Sequence, residues 1–347
     1  MELGLFLEFP VREGSTENEA FKESFALVDQ AEELGVPSVW MAEYHFNPGR
    51  VLSSPITIST AIAARTQNIR IGTAVLLLPL ANPVRVAEEV ATLDQISDGR
   101  VEFGIGRGTF PNVHEGFGVP FAESRGRFEE CIEIILKAWT TETFSFEGEH
   151  FNIPELSVNP KPFQQPHPPI RVGVTSAESF PVLGRMGYNI LINPSRVFTL
   201  AELKPSIQEY REARKAAGHE GEGKVGLRIP IYLSHDAQKA HNEPMESALF
   251  SMGRLSDRVA SYAGHVGTLG DWGAQAERVR GMTYDDWVRD KVAYGTPEAV
   301  ADKLNSLGEQ LGLDQVMFEI NFGNLIPLEN QSNSLRLMME EVAPNLA

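Results

Sequence analysis

Cysteine, long apolar runs and excess basic charge are all scarce in this chain. The single cysteine, Cys131, excludes an internal disulfide and is typical of a reducing, cytoplasmic compartment. No apolar run approaches the length of about 20 residues that spans a bilayer, and the first residues reach Glu8 without the basic region of a signal peptide. A net charge of −17 disfavours nucleic acid or an anionic membrane as partner. We therefore expect a cytoplasmic protein with neither partner.

Short apolar, β-branched segments alternate with helical patterns along the chain. Strands are expected at residues 3–9, 38–42, 69–78, 101–105, 170–174, 189–192, 225–233 and 315–320. Several of them are apolar on both faces, as parallel strands covered by helices must be. Eight such units predict a (β/α)₈ barrel, with an open doubly wound sheet as the alternative. Because no linker divides the chain, we expect a single domain over residues 1–347.

Two connections are longer than bare barrel loops require. Residues 141–169 follow the fourth predicted strand and are rich in proline and aromatic residues. Residues 234–296 follow the seventh strand and include the glycine-rich stretch 261–275. We interpret both as insertions in the barrel. Long ordered excursions of this kind form lids, binding loops or subunit contacts, and the sequence leaves these alternatives open.

The second predicted strand ends in three adjacent groups that can hold or transfer protons. These are Glu43, Tyr44 and His45, and the active site of a (β/α)₈ barrel lies at the carboxyl ends of its strands. The alternative interpretation is an ion pair of Glu43 in the barrel mouth beside a histidine of the core. His45 has no further histidine or aspartate at ligand spacing, so we expect no metal here.

Two further strand ends predict a site for an anion. The fourth strand ends in GIGRG, residues 104–108, where Arg107 is suited to bind a phosphate unless it pairs with a neighbouring carboxylate. The motif is not a dinucleotide fingerprint, because no helix follows the third glycine directly. The fifth strand ends in TSAES, residues 175–179, where hydroxyls meet a helix start. The alternative there is a capping box between Thr175 and Glu178.

These stretches resemble the flavin-dependent luciferase-like monooxygenases, of the bacterial luciferase α-subunit type. The matching segments are VWMAEYHF, IRIGTAVLLLPLANPVRVAEEVATLDQISDGRVEFGIGRG, FAESRGRFEE, VTSAES and YGTPEAVADKL. The resemblance runs from the first strand to the last helix, and it is most specific over residues 69–108. It implies a (β/α)₈ barrel that binds reduced FMN and uses O₂.

The resemblance also assigns residues to the cofactor. The implied ligands of the FMN phosphate are Arg107, Arg125, Ser176 and Ser179. The remaining implied cofactor-binding residues are Ala74, Val75, Gly106, Phe110 and Thr175. Ala74 and Val75 match the position at which family members carry a non-prolyl cis peptide under the flavin ring.

One position departs from the family pattern. Bacterial luciferases have Glu-His-His where this chain has Glu43-Tyr44-His45. A phenol, with an ordinary pKa of about 10, is a poor base at neutral pH, which disfavours light-emitting aldehyde oxidation but not flavin binding. We expect His45 to deliver protons, Glu43 to orient it, and Tyr44 to donate a hydrogen bond to a substrate oxygen or to oxygen bound at the flavin.

The resulting prediction is a two-component monooxygenase. It would take reduced FMN from a separate flavin reductase, since no motif for NAD(P)H is evident, and would oxidise a small, largely apolar organic molecule with O₂. The resemblance further implies a homodimer packed through barrel helices. Two alternatives remain: a deazaflavin-dependent enzyme that transfers hydride without O₂, and a flavin-binding relative without catalysis.

Overall fold

The computed structural model describes residues 1–47, 49–194, 199–261 and 272–347. The strands are β1 (Glu2–Leu7), β2 (Ser38–Met41), β3 (Arg70–Thr73), β4 (Leu76–Leu77), β5 (Val101–Gly106), β6 (Phe144–Glu147), β7 (Asn152–Leu156), β8 (Ile170–Val174), β9 (Asn189–Ile192), β10 (Val225–Leu233), β11 (Ala293–Gly295) and β12 (Gln315–Glu319). The α-helices are α1 (Glu17–Glu33), α2 (Pro55–Arg65), α3 (Pro83–Ile96), α4 (Pro111–Gly116), α5 (Ser124–Thr140), α6 (Ser179–Met186), α7 (Leu203–Ala216), α8 (Ala237–Asn242), α9 (Met245–Ser261), α10 (Trp272–Arg280), α11 (Tyr284–Asp290), α12 (Pro297–Leu311) and α13 (Leu328–Leu337).

The parallel strands close into a ring. Their order is β1, β2, β3, β5, β8, β9, β10 and β12, and β12 pairs again with β1. This confirms the predicted (β/α)₈ barrel, and all eight predicted strands are present in it. The alternative, an open doubly wound sheet, is wrong because the pairing of β9 with β10 closes the ring.

The register of the first strands brings the predicted site residues to one level. Leu7 lies opposite Met41, and Met41 lies opposite Thr73. The backbone N–H of Ala42 donates to the carbonyl oxygen of Leu7 at 3.2 Å, and that of Ala74 donates to Met41 at 2.7 Å. The residues that follow these strands therefore emerge side by side at the carboxyl edge of the barrel.

The third barrel strand is broken where the sequence pattern predicts an unbroken strand over residues 69–78. β3 ends at Thr73, β4 begins at Leu76, and the predicted cis peptide lies between them, at Ala74–Val75. The segment presses against β5: a Cβ atom on Gly104 would lie 1.7 Å from the carbonyl oxygen of Thr73, and one on Gly106 would lie 2.4 Å from Val75. Both glycines are thus required by the packing of this segment.

The helices bury apolar residues that recur at helical spacing, as α12 shows. In α12, Thr296 caps the first turn by accepting the N–H of Ala299, and Pro297 occupies the first helical position. Leu304 of this helix is 0% exposed, and burying a leucine of this kind contributes about 1.5–3 kcal/mol. Within the described ranges, none of the helices combines the length and apolar character needed to cross a bilayer.

The two predicted insertions differ in what they contact. Residues 141–169 form the antiparallel hairpin of β6 and β7, which is held against α5 because Glu130 accepts the N–H groups of Glu149 and Phe151. Residues 234–296 carry α8 to α11, and β11 pairs in parallel with β10. Most of the glycine-rich stretch 261–275 lies outside the described residues.

Candidate active site

A cavity of about 600 Å³ lies at the carboxyl ends of the neighbouring strands β2, β3, β5 and β8. Every residue that the sequence and the resemblance single out lines it: Glu43, Tyr44, His45, Ala74, Val75, Gly106, Arg107, Phe110, Arg125, Thr175, Ser176 and Ser179. Arg254 of the second insertion also lines it, whereas residues 141–169 contribute nothing to its wall. The first insertion is therefore not a lid over this cavity.

Glu43 holds His45 and the broken strand together. One carboxylate oxygen, Oε2, accepts the backbone N–H of Leu77 at 2.7 Å, and the other, Oε1, lies 2.7 Å from Nε2 of His45. A carboxylate only accepts, so Nε2 carries a hydrogen, and in the neutral ring Nδ1 is the nitrogen with the lone pair. His45 is thus fixed in orientation, with Nδ1 as the atom that can take up a proton.

Tyr44 points away from His45 into a buried ionic cluster, which consists of Tyr44, Glu8, Arg50, Arg228 and Glu319. The phenol O–H of Tyr44 donates to Glu8, which also accepts from Arg50 at 2.5 Å and from Arg228 at 2.9 Å. Arg228 donates to Glu319 at 2.7 Å. Two carboxylates and two guanidinium groups therefore meet beside the cavity, which Tyr44 and Arg228 themselves line, and the phenol completes the hydrogen bonds of one carboxylate.

The pKa values in this cluster follow from burial and from the two arginines. Burial raises the pKa of Tyr44 to about 12, and the charge of Glu8 adds to the effect. Burial opposes ionisation of Glu8, but Arg50 and Arg228 lower its pKa to about 2. Burial, with Glu8 adding to it, raises the pKa of Glu319 to about 7 despite Arg228. Tyr44 is neutral, and its only hydrogen is bonded to Glu8, which corrects the predicted role as a donor to a ligand oxygen.

Arg107 and Arg125 place two positive charges at one part of the cavity. Burial lowers the pKa of Arg107, and the nearby charge of Arg125 lowers it further, although a guanidinium stays charged at neutral pH. The Arg107 guanidinium lies 5.4 Å from the ring centre of Phe121. Neither arginine forms an ion pair with a carboxylate in the parts of the chain that the structure describes. The alternative of an arginine paired with a neighbouring carboxylate is therefore not observed.

The TSAES segment adds hydroxyl groups beside β8. α6 begins at Ser179, and the side chain of Glu178 makes no capping hydrogen bond, so the capping box between Thr175 and Glu178 is not formed. Ser176 Oγ lies 2.9 Å from Ser179 Oγ. These hydroxyls are not used to cap the helix and face the cavity, as the prediction of an anion site requires.

Two features of the cavity escape the sequence patterns. His114, within α4, is fully buried and lines the cavity, but a lone histidine after a proline carries no recognisable signal. Phe46 and Phe117, which are 61% and 45% exposed, place their ring centres 5.6 Å apart, and Phe117 packs edge-on against His45 at 4.7 Å. The aromatic pair forms an apolar rim beside the imidazole.

Comparison with known proteins finds similarity to flavin-dependent monooxygenases. A sequence profile described as luciferase-like monooxygenase matches residues 1–315. The protein y4vJ of Sinorhizobium fredii is 32% identical over 235 residues, which are 66% of this chain and slightly less than two thirds, 65%, of that relative. The oxygenase component of the flavin-dependent trigonelline monooxygenase of Acinetobacter baylyi is 25% identical over 352 residues, 99% of this chain and 95% of that protein.

Among solved structures, the crystal structure of the monooxygenase RslO1 from Streptomyces bottropensis superimposes with a TM-score of 0.83 at 26% identity. That match covers 100% of this chain and 100% of the other. The likeness therefore extends over the barrel and both insertions. Because the family profile covers most of its length, the chain belongs to the luciferase-like monooxygenase family.

Proposed function

We propose that this protein is an FMN-dependent monooxygenase that uses reduced FMN and O₂ to oxidise a small, largely apolar organic molecule. The observation that carries the proposal is one cavity that combines two arginines free of carboxylate partners in the described chain with the Glu43–His45 pair. The likeness to the oxygenase component of a flavin-dependent monooxygenase supports a separate reductase as the source of electrons.

The residues of the cavity fit a phosphate-bearing flavin. Arg107 and Arg125 would hold the phosphate together with the hydroxyls of Ser176 and Ser179, because charge-assisted hydrogen bonds to guanidinium groups are the strongest contacts that a phosphate finds in a protein. A volume of about 600 Å³ lies in the usual range for a cofactor site. Reduced FMN, when bound, supplies the electrons that activate O₂.

His45 would transfer the proton that the reaction needs. Its Nε2–H is held by Glu43, so Nδ1 is the atom that accepts and returns a proton. The ring sits at the apolar rim formed by Phe46 and Phe117, which would limit the access of bulk water. Tyr44 would contribute as a positioning residue: its bond to Glu8 ties the end of β2 to the buried ionic cluster.

The remaining wall favours an apolar substrate. Phe6, Leu77, Val174, Leu191 and Met317 are among the residues that line the cavity. Apolar side chains of this kind bind a ligand mainly by removing its surface from water. A small, largely apolar organic molecule therefore suits the space left beside the cofactor.

The experiment supplies reduced FMN with a purified flavin reductase and NADH, adds isotopically labelled O₂, and presents a panel of small apolar organic compounds. Mass spectrometry should detect one labelled oxygen atom in a product, and Arg107→Ala should abolish that incorporation at the same FMN concentration. Hydride transfer to or from a substrate with a deazaflavin, independent of O₂, would contradict the proposal. So would FMN binding without any incorporation across the panel, which is the behaviour of a non-catalytic relative.

We also propose a homodimer, as the resemblance implies. Mass photometry at several protein concentrations should give twice the mass of the chain, which is 38.3 kDa. A monomer throughout the concentration range would contradict this proposal without affecting the assignment of the cavity.

A further inference from the structure

His114 is a buried polar side chain, and the backbone of Arg107 is the polar group that acts on its ring, partly offsetting the effect of burial on its pKa. It is 0% exposed, and neither Nδ1 nor Nε2 forms a hydrogen bond of normal geometry within residues 1–47, 49–194, 199–261 and 272–347. Its ring packs edge-on against Phe121 with 5.0 Å between centres, which explains the burial of the ring but not of its nitrogens. A buried N–H that lacks a hydrogen bond of normal geometry costs up to about 1–3 kcal/mol, so an acceptor in a better position than the Arg107 backbone is expected to satisfy it.

The surroundings of His114 indicate what that acceptor is. Phe121 contacts both the His114 ring and the Arg107 guanidinium, so the imidazole lies beside the two-arginine part of the cavity. Gly108 leaves Nε2 accessible, since a Cβ atom there would lie 3.0 Å from that nitrogen. Burial lowers the pKa of His114 to about 4, so at neutral pH the ring is an uncharged donor next to two permanent cations. An anion drawn to the arginines would meet this N–H as well.

We propose that His114 is a further ligand of the bound phosphate, donating an imidazole N–H to a phosphate oxygen alongside Arg107. This inference rests on the proposed function, because the phosphate belongs to the FMN assigned to the cavity. Neither the sequence patterns nor the resemblance assigns a role to this residue. The flexible arginines attract the phosphate, and the His114 N–H, held in place by buried packing, would fix its position.

The test compares FMN with riboflavin, which lacks the phosphate. Affinities of both ligands, in the oxidised form and after reduction under argon, are measured for wild type, His114→Phe and His114→Gln. His114→Phe keeps an aromatic ring against Phe121 and removes both nitrogens. We expect it to weaken FMN binding about tenfold or more and to leave riboflavin binding within about twofold. His114→Gln restores a donor and should recover part of the lost FMN affinity.

The matched control is His235→Phe, because His235 is an exposed histidine paired with Glu341 and absent from the cavity wall. Its affinities should equal those of wild type. An equal loss of FMN and riboflavin affinity in His114→Phe, or no loss of either, would overturn the inference. If wild type itself binds neither flavin, the proposed function fails, and that outcome is distinct from a variant effect.

A second measurement, made on the wild-type protein, tests the inference if His114→Phe does not fold. Wild-type protein labelled with nitrogen-15 in histidine is titrated with FMN and then with riboflavin. One buried neutral imidazole should shift with FMN and not with riboflavin, and it should be missing from the spectrum of His114→Gln. Identical spectra with the two flavins would overturn the inference.

Discussion

At the residue scale, the orientation of His45 depends on one carboxylate. Glu43 accepts from both the imidazole and the backbone of Leu77, so it couples the end of β2 to the start of β4. The side chains of His45 and Glu43 are only 11% and 9% exposed. Proton transfer by a positioned side chain contributes about 10²–10⁴-fold to a reaction rate, which is the range in which the loss of His45 should fall.

Replacing His45 should separate flavin oxidation from product formation. We expect His45→Ala to reduce product formed per FMN oxidised by about 10-fold or more and to release hydrogen peroxide instead, with FMN affinity within about twofold of wild type. Oxygen uptake, product and peroxide are measured in the same reaction. Tyr44→Phe should cost less, since the phenol is bonded to Glu8. Wild-type coupling in His45→Ala together with lost coupling in Tyr44→Phe would reverse the two roles.

Replacing Arg107 should weaken FMN binding more than any other truncation in the cavity. A charge-assisted contact is worth about 1.5–3 kcal/mol, so Arg107→Ala should lower the affinity for FMN by about 10- to 150-fold. Ser176→Ala should cost less because the Ser179 hydroxyl and the backbone N–H groups at the start of α6 remain. Calorimetry measures both, with Arg85→Ala of the exposed Arg85–Glu89 pair as control. An Arg107→Ala affinity within about twofold of wild type would place the phosphate elsewhere.

Glu43, His45, Arg107 and Ser176 reach the cavity because strand ends are readable in a sequence and the barrel gathers them, whereas Arg125, at the start of α5, was indicated by the resemblance alone. The partner of Tyr44 was not predictable in the same way. Glu8 and Arg228 are far apart in sequence, and only closure of the ring brings them to the phenol. His114 is a similar case. The reason to assign it a role is that its ring nitrogens lack hydrogen bonds of normal geometry in the described residues, which a sequence does not show.

At the element scale, the third barrel strand is the element whose continuity the pattern of apolar residues predicts wrongly. A continuous apolar run predicts one strand, whereas the resemblance alone indicates the cis peptide that divides it. The first two glycines of GIGRG are explained by this break. Gly104 and Gly106 make room for Thr73 and Val75, which the sequence patterns did not predict.

A methyl group at Gly104 should therefore destabilise the barrel. Overpacking of a tight core typically costs about 1–3 kcal/mol, and we expect Gly104→Ala to reach the upper end because the Cβ meets backbone rather than a movable side chain. Gly253→Ala is the control: this exposed position in α9 has open space around it, and alanine there should stabilise the helix by about 0.5–1 kcal/mol. Urea unfolding measures both. Equal stability of the two variants would contradict the packing account.

At the scale of the whole molecule, barrel closure assembles the buried ionic cluster. Glu8 follows β1, Arg228 belongs to β10 and Glu319 ends β12, so residues from three strands of the barrel form the cluster. Arg228 bonds both carboxylates, and removing one member of a buried ion pair costs about 3–5 kcal/mol because the remaining charge is left uncompensated. Tyr44 is bonded to Glu8 of this cluster, so its position depends on the closed barrel.

Replacing Arg228 should make stability strongly dependent on pH. The folded pKa of Glu319, about 7, lies above its ordinary value of 4.5, so its contribution is fully present below the ordinary value and is lost as pH rises through the folded one. Arg228→Met raises that pKa further and also raises the lowered pKa of Glu8. The free energy of unfolding should fall by about 3–5 kcal/mol at about pH 8 and by less at about pH 5.

Urea unfolding at both pH values measures this difference, with Arg85→Met as the exposed control. A loss that is equal at the two pH values, or larger in acid, would show that the carboxylates of the cluster do not depend on Arg228.

A crystal structure of the protein grown with FMN is the most direct test of whether this cavity binds FMN with its phosphate between the two arginines. We predict density for the phosphate within about 3 Å of the guanidinium nitrogens of Arg107 and Arg125 and of Ser176 Oγ, with the ring system in the same cavity as His45. Phosphate density at any other part of the surface, with Arg107 and Arg125 facing solvent, would contradict the account.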